Sequence, residues 1–203
     1  MQHQRGPAGV AVSDRSMATY ARRHTDLSKV MTDPGDVTNP LDNRIQALTT
    51  QQLSTLVSRL AAQPAVWLPR LQLPELRQRW WTRLSSSSAV DVWLLSWLPG
   101  HATDLHDHGP SAAAFAVVRG ELNEVRITQN GRHVTVPRPP GSTTALGVGV
   151  LHDVRGAGDR PAVSIHAYSP PLERMTYYEI DRRGRVRARS TLETREPEQV
   201  PKG

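Results

Sequence analysis

Two histidines one residue apart, His106 and His108, open an apolar part of the sequence. Side chains alternate between the two faces of an extended strand, so residues i and i+2 point to the same side. The pair can therefore offer two imidazole nitrogens to one metal ion, while Asp107 between them points the other way. Gly109 and Pro110 follow directly, which predicts that the pair lies at the mouth of a strand.

A third histidine, His152, lies further along the chain in Leu151–Val154, a segment that also has the character of a strand. Each histidine alone is more often a hydrogen-bonded core or surface residue. A small antiparallel barrel, however, can bring three such side chains together at its mouth. The chain has no cysteine, which leaves His, Asp and Glu as its strong metal ligands. We therefore predict a metal site with positions left open for exogenous ligands.

One clear helix precedes the strands. Thr49 to Gln52 form a capping box, and the residues after it have the spacing of an amphipathic helix that ends before Pro64. Its apolar positions are Leu53, Leu56, Val57, Leu60 and Ala61. A second, shorter helix is expected around Leu73–Trp80.

From Val90 onward the sequence predicts short strands separated by turn residues, at intervals typical of a sandwich or barrel. These strands are Val92–Leu98, Phe115–Arg119, Leu122–Thr128, His133–Val136, Thr144–Val150, Val163–Tyr168 and Met175–Asp181. The fold class is therefore mainly β with an N-terminal helical layer. We expect residues 1–40 to be largely disordered or extended, residues 41–192 to form the domain, and residues 193–203 to form a frayed tail.

The net charge of +6 raises the question of nucleic-acid binding. The arginines are scattered, except for a cluster in Arg182–Arg189 whose alternation is typical of the solvated face of a hairpin strand. The sequence thus argues against a nucleic-acid partner. The sequence has no apolar stretch long enough to span a membrane and no signal peptide, so we expect a cytoplasmic protein. We also expect the protein to be a monomer or a weak homo-oligomer.

The first histidine motif resembles that of the cupin superfamily, in which Gly, His-x-His and a terminal Gly are followed by a second motif with another ligand histidine. The matching residues here are Gly100, the His106–His108 pair, Gly120 and His152. The usual cupin pattern also has a Glu soon after the histidine pair. None occurs between Gly109 and Gly120, which leaves a ligand set of three histidines.

Among cupins, this departure resembles the cysteine dioxygenase family. The stretch Val163–Pro171 matches that family's Ser-x-His-x-Tyr-Ser-Pro-Pro motif, and Trp81–Leu84 resembles its aromatic-x-Arg segment. The resemblance covers about half of the chain, and the predicted helix fits the helical lead-in of these enzymes. It implies a cupin-type small β-barrel, jelly-roll-like in form.

The resemblance also implies a role for each site residue. His106, His108 and His152 would hold Fe(II), and Arg83 would bind the substrate carboxylate through its planar pair of donors. Tyr168, backed by His166 and Ser164, would form a hydrogen-bonded relay beside the metal. In a strand these last three side chains share one face, so the imidazole can reach both hydroxyl groups.

The function implied is oxidation of the thiol of L-cysteine to cysteine sulfinate with O2. Two alternatives stay open: another small thiol such as 3-mercaptopropionate, for which relatives usually carry Gln in place of Arg83, or a non-catalytic cupin that senses a metal or small ligand. Animal members also carry a cysteine crosslinked to the tyrosine. Ala113 stands at the matching spacing here, so no thioether can form, as in bacterial-type relatives.

Overall fold

The computed structural model describes residues 46–74, 78–128 and 132–197. The predicted N-terminal segment, residues 1–40, lies outside these ranges. Helix α1 (Thr50–Ala61) is followed by the short helix α2 (Pro64–Trp67) and by a 3-10 turn (Leu68–Arg70). Within the described residues, no helix has the length and apolar character that crossing a bilayer would require.

Helix α1 confirms the predicted capping box and apolar stripe. The backbone N–H of Gln52 donates to the Thr49 hydroxyl over 3.2 Å, and the N–H of Thr49 donates to the Gln52 side chain over 2.9 Å. These two bonds satisfy backbone donors that a helix start otherwise leaves open. The buried side of the helix consists of Leu53, Leu56, Val57 and Leu60.

Eleven strands occupy the rest of the described chain. They are β1 (Trp80–Ser86), β2 (Asp91–Trp97), β3 (His106–Asp107), β4 (Ala112–Arg119), β5 (Glu121–Ile127), β6 (His133–Arg138), β7 (Thr143–Leu146), β8 (His152–Ala157), β9 (Ala162–Ser169), β10 (Arg174–Ile180) and β11 (Val186–Glu193). One sheet has the order β1-β2-β9-β4-β7 and the other the order β11-β10-β3-β8-β5-β6. All the pairings are antiparallel.

The mainly β prediction is confirmed, with one difference in how the sheets meet. Within the described ranges, the two sheets share no strand and do not join into a closed barrel. They face each other across a core that includes Trp97, Phe115 and Tyr177. The architecture is thus an open sandwich of two sheets, in which α1 covers the outer side of the five-stranded sheet.

Two local predictions were wrong. Leu73 and Pro74 are irregular, residues 75–77 lie outside the described ranges, and Trp80 already begins a strand. The short helix instead lies earlier, at Pro64–Trp67, because Pro64 stands at a first helical position, where its missing N–H is tolerated. The strand expected to reach Val150 ends at Leu146, where a turn closed by the Val150 N–H and the Gly147 carbonyl begins.

Strands β2 and β9 separate two cores because their side chains alternate between faces. Val163, Ile165 and Ala167 of β9 pack in the core beneath α1. Ser164, His166 and Tyr168 alternate with them and therefore point into the space between the sheets. All eight residues of β9 are buried, since both faces of the strand are covered. A polar row is in this way carried into the interior of the protein.

The chain stays on the domain beyond β11. The N–H of Thr194 donates to the Glu173 carbonyl over 2.9 Å, and the Thr194 residue is buried. Pro197 is buried as well. The predicted frayed tail was placed from Glu193 onward; residues 194–197 contact the domain, and residues 198–203 lie outside the described ranges.

Gly120, the terminal glycine of the first motif, lies in the turn between β4 and β5 with φ +65. A Cβ at this position would stand 2.6 Å from both the Ala162 Cα and the Pro161 carbonyl oxygen. Gly141 has a similar φ of +83, but nothing lies within 4 Å of a Cβ built on it. The two glycines therefore separate the effect of backbone conformation from that of crowding.

We expect Gly120→Ala to lower the free energy of unfolding by about 1 to 3 kcal/mol more than Gly141→Ala does, because the first adds a steric conflict to the shared backbone strain. Urea unfolding of the two variants and the wild type measures this difference. Equal losses would show that the close approach of Gly120 to β9 does not constrain the fold.

Candidate metal centre

Strand register brings the three predicted histidines together. β3 lies between β10 and β8, and His106 stands directly opposite His152 in the antiparallel pair of β3 and β8. His108 follows at the end of β3. One nitrogen from each of the three rings lies within 4.8 Å of the others. Relative exposures of 2% to 4% show that all three are buried.

Hydrogen bonds orient two of these rings so that the second nitrogen remains available. The Nδ1–H of His106 donates to the Asp104 carbonyl over 2.7 Å. The Nδ1 of His152 lies 3.3 Å from a carboxylate oxygen of Glu124. The Nε2 of His152 is buried without a hydrogen-bond partner among the described residues. An orphaned imidazole nitrogen beside two other imidazoles fits a metal ion, because neutral imidazole is a common metal ligand.

Burial favours the neutral form, which can bind metal, in two of the histidines, His108 and His152. Burial lowers the pKa of His152 to about 4, although the hydrogen bond with Glu124 opposes that shift. Burial, followed by the neighbouring His106 and His152, lowers the pKa of His108 well below its usual range. Their lone pairs therefore remain unprotonated near neutral pH, so metal binding does not have to displace a proton from them.

Glu124, which the sequence analysis missed, is a fully buried carboxylate behind His152. Arg126 Nε lies 3.0 Å from its Oε1, and Arg138 Nε donates to its Oε2 over 2.9 Å. Burial opposes the charge of Glu124, but hydrogen bonds from His152, Arg126 and Arg138 outweigh it and lower its pKa to about 2. A charged carboxylate therefore fixes the tautomer and direction of a candidate metal ligand.

A second polar group, on β2 and β9, adjoins the histidines. The indole N–H of Trp97 donates to the Ser164 hydroxyl over 2.9 Å, and that oxygen lies 2.9 Å from the Nε2 of His166. Burial, followed by the charges of His152 and Arg79, lowers the pKa of His166 to about 3. His166 is thus a neutral partner of Ser164, with its ring stacked on Phe115 at 5.0 Å.

Tyr168 lies on the same face of β9 as His166. Its ring centre is 5.0 Å from that of His108 and 6.4 Å from that of His166. Ala113 of β4 stands directly opposite Tyr168 in the neighbouring strand. The side chain directly opposite the tyrosine on the neighbouring strand is therefore a methyl group, which cannot form a covalent bond to the ring.

These side chains surround a small cavity. The cavity is lined by Leu95, Trp97, Thr103, His106, His108, His152, Val154, His166, Tyr168, Met175 and Pro197. No carboxylate is among these lining residues. A negatively charged group on a ligand would therefore meet no like charge directly on the walls.

Like Arg79, the predicted carboxylate-binding residue, Arg83, is not among the residues that line this cavity. It is exposed, with its guanidinium over the ring of Trp93 at 4.5 Å and its Nη2 donating to the Arg195 carbonyl over 2.8 Å. Arg79 is buried instead, and its guanidinium lies 4.7 Å from the ring centre of Trp97, which does line the cavity. Sequence reasoning missed Arg79, because the resemblance to the family's aromatic-x-Arg segment pointed to Arg83, four residues later.

The profile of the family described as Cysteine dioxygenase type I matches residues 43–182. The chain belongs to this family. It is 22% identical over 138 residues to cysteine dioxygenase type 1 of Danio rerio, covering 63% of this chain and 68% of that protein. It is also 22% identical over 150 residues to cysteine dioxygenase type 1 of Bos taurus, covering 68% and 72%.

Among solved structures, a cupin superfamily protein from Desulfitobacterium hafniense matches with a TM-score of 0.44 at 13% identity, covering 51% of this chain and 87% of that one. The matched family region, residues 43–182, includes the three histidines, both arginines and the polar face of β9. The three candidate metal ligands thus lie in the part of the chain that matches the cysteine dioxygenase type I family.

We expect Glu124→Gln to weaken Fe(II) binding about 10- to 100-fold, because an amide orients the His152 ring less strongly than a charged carboxylate does. Anaerobic titration of the metal-free protein with Fe(II) against a competing chelator measures the affinity. Glu121→Gln is the matched control, since Glu121 lies on the same strand but is exposed.

In the same titration, replacing any of His106, His108 or His152 by Ala should abolish binding. Full iron occupancy in those three variants would remove the metal assignment. An Fe(II) affinity unchanged by Glu124→Gln would show that Glu124 does not orient His152 for metal binding.

Proposed function

We propose that this chain is an Fe(II)-dependent dioxygenase that oxidises the thiol of L-cysteine to cysteine sulfinate with O2. The observation that carries the proposal is the buried group of three histidines with converging ring nitrogens. Membership of the cysteine dioxygenase type I family supports the reaction class. A cytoplasmic location and a monomeric or weakly associated state stay predictions from the sequence.

Three imidazoles would hold the metal, through the ring nitrogens of His106, His108 and His152. When bound there, Fe(II) would lower the pKa of a coordinating thiol and supply the electrons that activate O2. The overall reaction joins one thiol and one O2 to give one sulfinate and one proton. Both oxygen atoms enter the product, so no external reductant is needed.

The residues of the chain would position the substrate. We assign its carboxylate to Arg79, whose buried guanidinium lies 4.7 Å from the ring centre of Trp97, a residue that lines the cavity. A guanidinium offers two parallel donors to a carboxylate, and their attraction is stronger in a buried site than in water. Arg83, the residue named by the sequence motif, is the alternative, but it is exposed and bonded to the Arg195 carbonyl.

Tyr168 would act next to the reacting sulfur. Its ring is 5.0 Å from that of His108 and its side chain lines the cavity, so its hydroxyl can donate a hydrogen bond to a group that accumulates negative charge there. The pair of His166 and Ser164, held by Trp97, would keep this wall of the cavity fixed without adding a charge.

Oxygen consumption tests the reaction directly. With Fe(II)-loaded protein, L-cysteine should give stoichiometric uptake of one O2 per sulfinate formed, measured with an oxygen electrode and by mass spectrometry of the product. 3-Mercaptopropionate, which lacks the amine, should react more slowly. No O2 uptake with any thiol, despite full iron loading, would favour the non-catalytic alternative. A faster reaction with 3-mercaptopropionate than with L-cysteine would show that cysteine is not the preferred substrate.

The two arginines can be separated by one pair of variants. Arg79→Gln should weaken cysteine binding about 10- to 150-fold, because neutral hydrogen bonds replace a charge-assisted pair worth roughly 1.5 to 3 kcal/mol. Cysteamine, which has the thiol and amine but no carboxylate, should bind equally to Arg79→Gln and wild type. Anaerobic calorimetry on the iron-loaded protein measures both affinities.

Arg83→Gln is the control and should change the affinities for the two thiols by the same factor. A selective loss of cysteine binding in Arg83→Gln, with none in Arg79→Gln, would return the carboxylate to Arg83.

A further inference from the structure

The short segment after the last strand contributes one residue to the wall of the cavity at the metal centre. We call residues Thr194 to Pro197 the C-terminal strap. Pro197 is buried and lines the same cavity as His106, His108 and Tyr168. Part of the wall around a candidate catalytic metal is therefore supplied by a segment that belongs to neither sheet.

Local hydrogen bonds shape the strap. Its first residue, Thr194, is tied to the chain before β10 through the Glu173 carbonyl at 2.9 Å. The Thr194 hydroxyl then accepts a hydrogen bond from the N–H of Glu196 over 3.1 Å, which turns the backbone directly before Pro197. A side-chain oxygen that bonds a backbone N–H two residues on is a common turn device.

Arg83 joins the strap to the opposite sheet. β1 and β11 are edge strands, one in each sheet, and the strap follows β11. The Nη2 of Arg83 on β1 donates to the Arg195 carbonyl over 2.8 Å. The Arg83 guanidinium is itself steadied by its position over the Trp93 ring at 4.5 Å. The Arg83 side chain thus connects the edges of the two sheets. It does so at Arg195, two residues before the cavity-lining Pro197.

We propose that the C-terminal strap sets the upper size of the thiol that the metal centre accepts, with Arg83 as its latch and Pro197 as the limiting wall. The size limit depends on the proposed function, whereas the latch does not. A rigid proline ring adds a wall with little conformational freedom. A thiol longer than cysteine by one methylene has to displace that wall, and the latch resists the displacement.

The latch is tested by limited trypsin digestion of the full chain, because cleavage after Arg195 requires the strap to leave the domain. We expect Arg83→Gln to speed cleavage after Arg195 about tenfold, since proteolysis follows the population of the open form. Arg189→Gln is the matched control: Arg189 is exposed on β11 and bridges to Asp104 at 2.6 Å, without touching the strap. Mass spectrometry of the released C-terminal peptide measures the rate.

The size limit is tested by anaerobic calorimetry of cysteine and homocysteine on the iron-loaded protein. In the wild type, homocysteine should bind more weakly, and Pro197→Ala should reduce the ratio of the two dissociation constants about tenfold, the scale of one methylene in a closed pocket. Arg83→Gln should reduce it in the same direction, and Arg189→Gln should leave it unchanged.

An unchanged cleavage rate in Arg83→Gln would overturn the latch, and an unchanged ratio in Pro197→Ala would overturn the size limit. Both readouts are independent of turnover. Failure of the protein to consume O2 would therefore count against the proposed reaction and not against the strap. If neither thiol bound the wild type, the assignment of the cavity to thiols would fall together with its size limit, and the proteolysis would still decide the latch.

Discussion

The candidate site depends on the register of one very short strand. β3 has two residues, and it places His106 opposite His152 of β8. A slip of one residue would turn the inner face of β8 outward and exchange His152 for Asp153. Asp153 is held in its present place by Thr103 and Arg155, over 3.2 and 2.5 Å. Contacts of the residue next to His152 therefore help to keep the metal-binding face of the strand inward.

Several of the polar side chains buried between the sheets are hydrogen-bonded to one another. Trp97, Ser164 and His166 form a chain of hydrogen bonds, and Glu124 faces two arginines and one histidine. Buried polar groups left unpaired would cost about 1 to 3 kcal/mol each. Because these groups are hydrogen-bonded to one another, they avoid that cost and their side chains are held in fixed orientations. The fixed orientations keep the histidine rings in a geometry that can bind a metal ion.

The sequence was informative where side-chain spacing matches a regular period. Alternation correctly predicted that His106 and His108 share a face and that Ser164, His166 and Tyr168 do so, and the capped helix was confirmed in place. Side-chain spacing did not predict that Glu124 is buried. In β5, Glu124 and Arg126 alternate with apolar residues, a pattern typical of a solvated strand face, whereas the structure buries the Glu124 side chain completely. Pattern alone cannot tell that two arginines will neutralise an inward carboxylate.

The positions of Arg79 and Arg83 along the chain explain why the surroundings of their guanidinium groups differ. β1 runs antiparallel to β2, with Trp80 opposite Ser96 and Arg83 opposite Trp93. The guanidinium of Arg79, just before β1, therefore lies over Trp97 at the cavity end, while that of Arg83 lies over Trp93. Trp97 lines the cavity and Trp93 does not.

The positive charges of Arg79 and Arg83 differ in how strongly they act on neighbouring groups, because one arginine is buried and the other is exposed. The buried charge of Arg79 acts in a medium of low polarity, and it contributes to the lowered pKa of His166. The exposed charge of Arg83 is screened by water and salt, so it contributes mainly a directed hydrogen bond. A buried guanidinium suits recognition of a small anion inside the protein, and an exposed one suits the fastening of one chain segment to another.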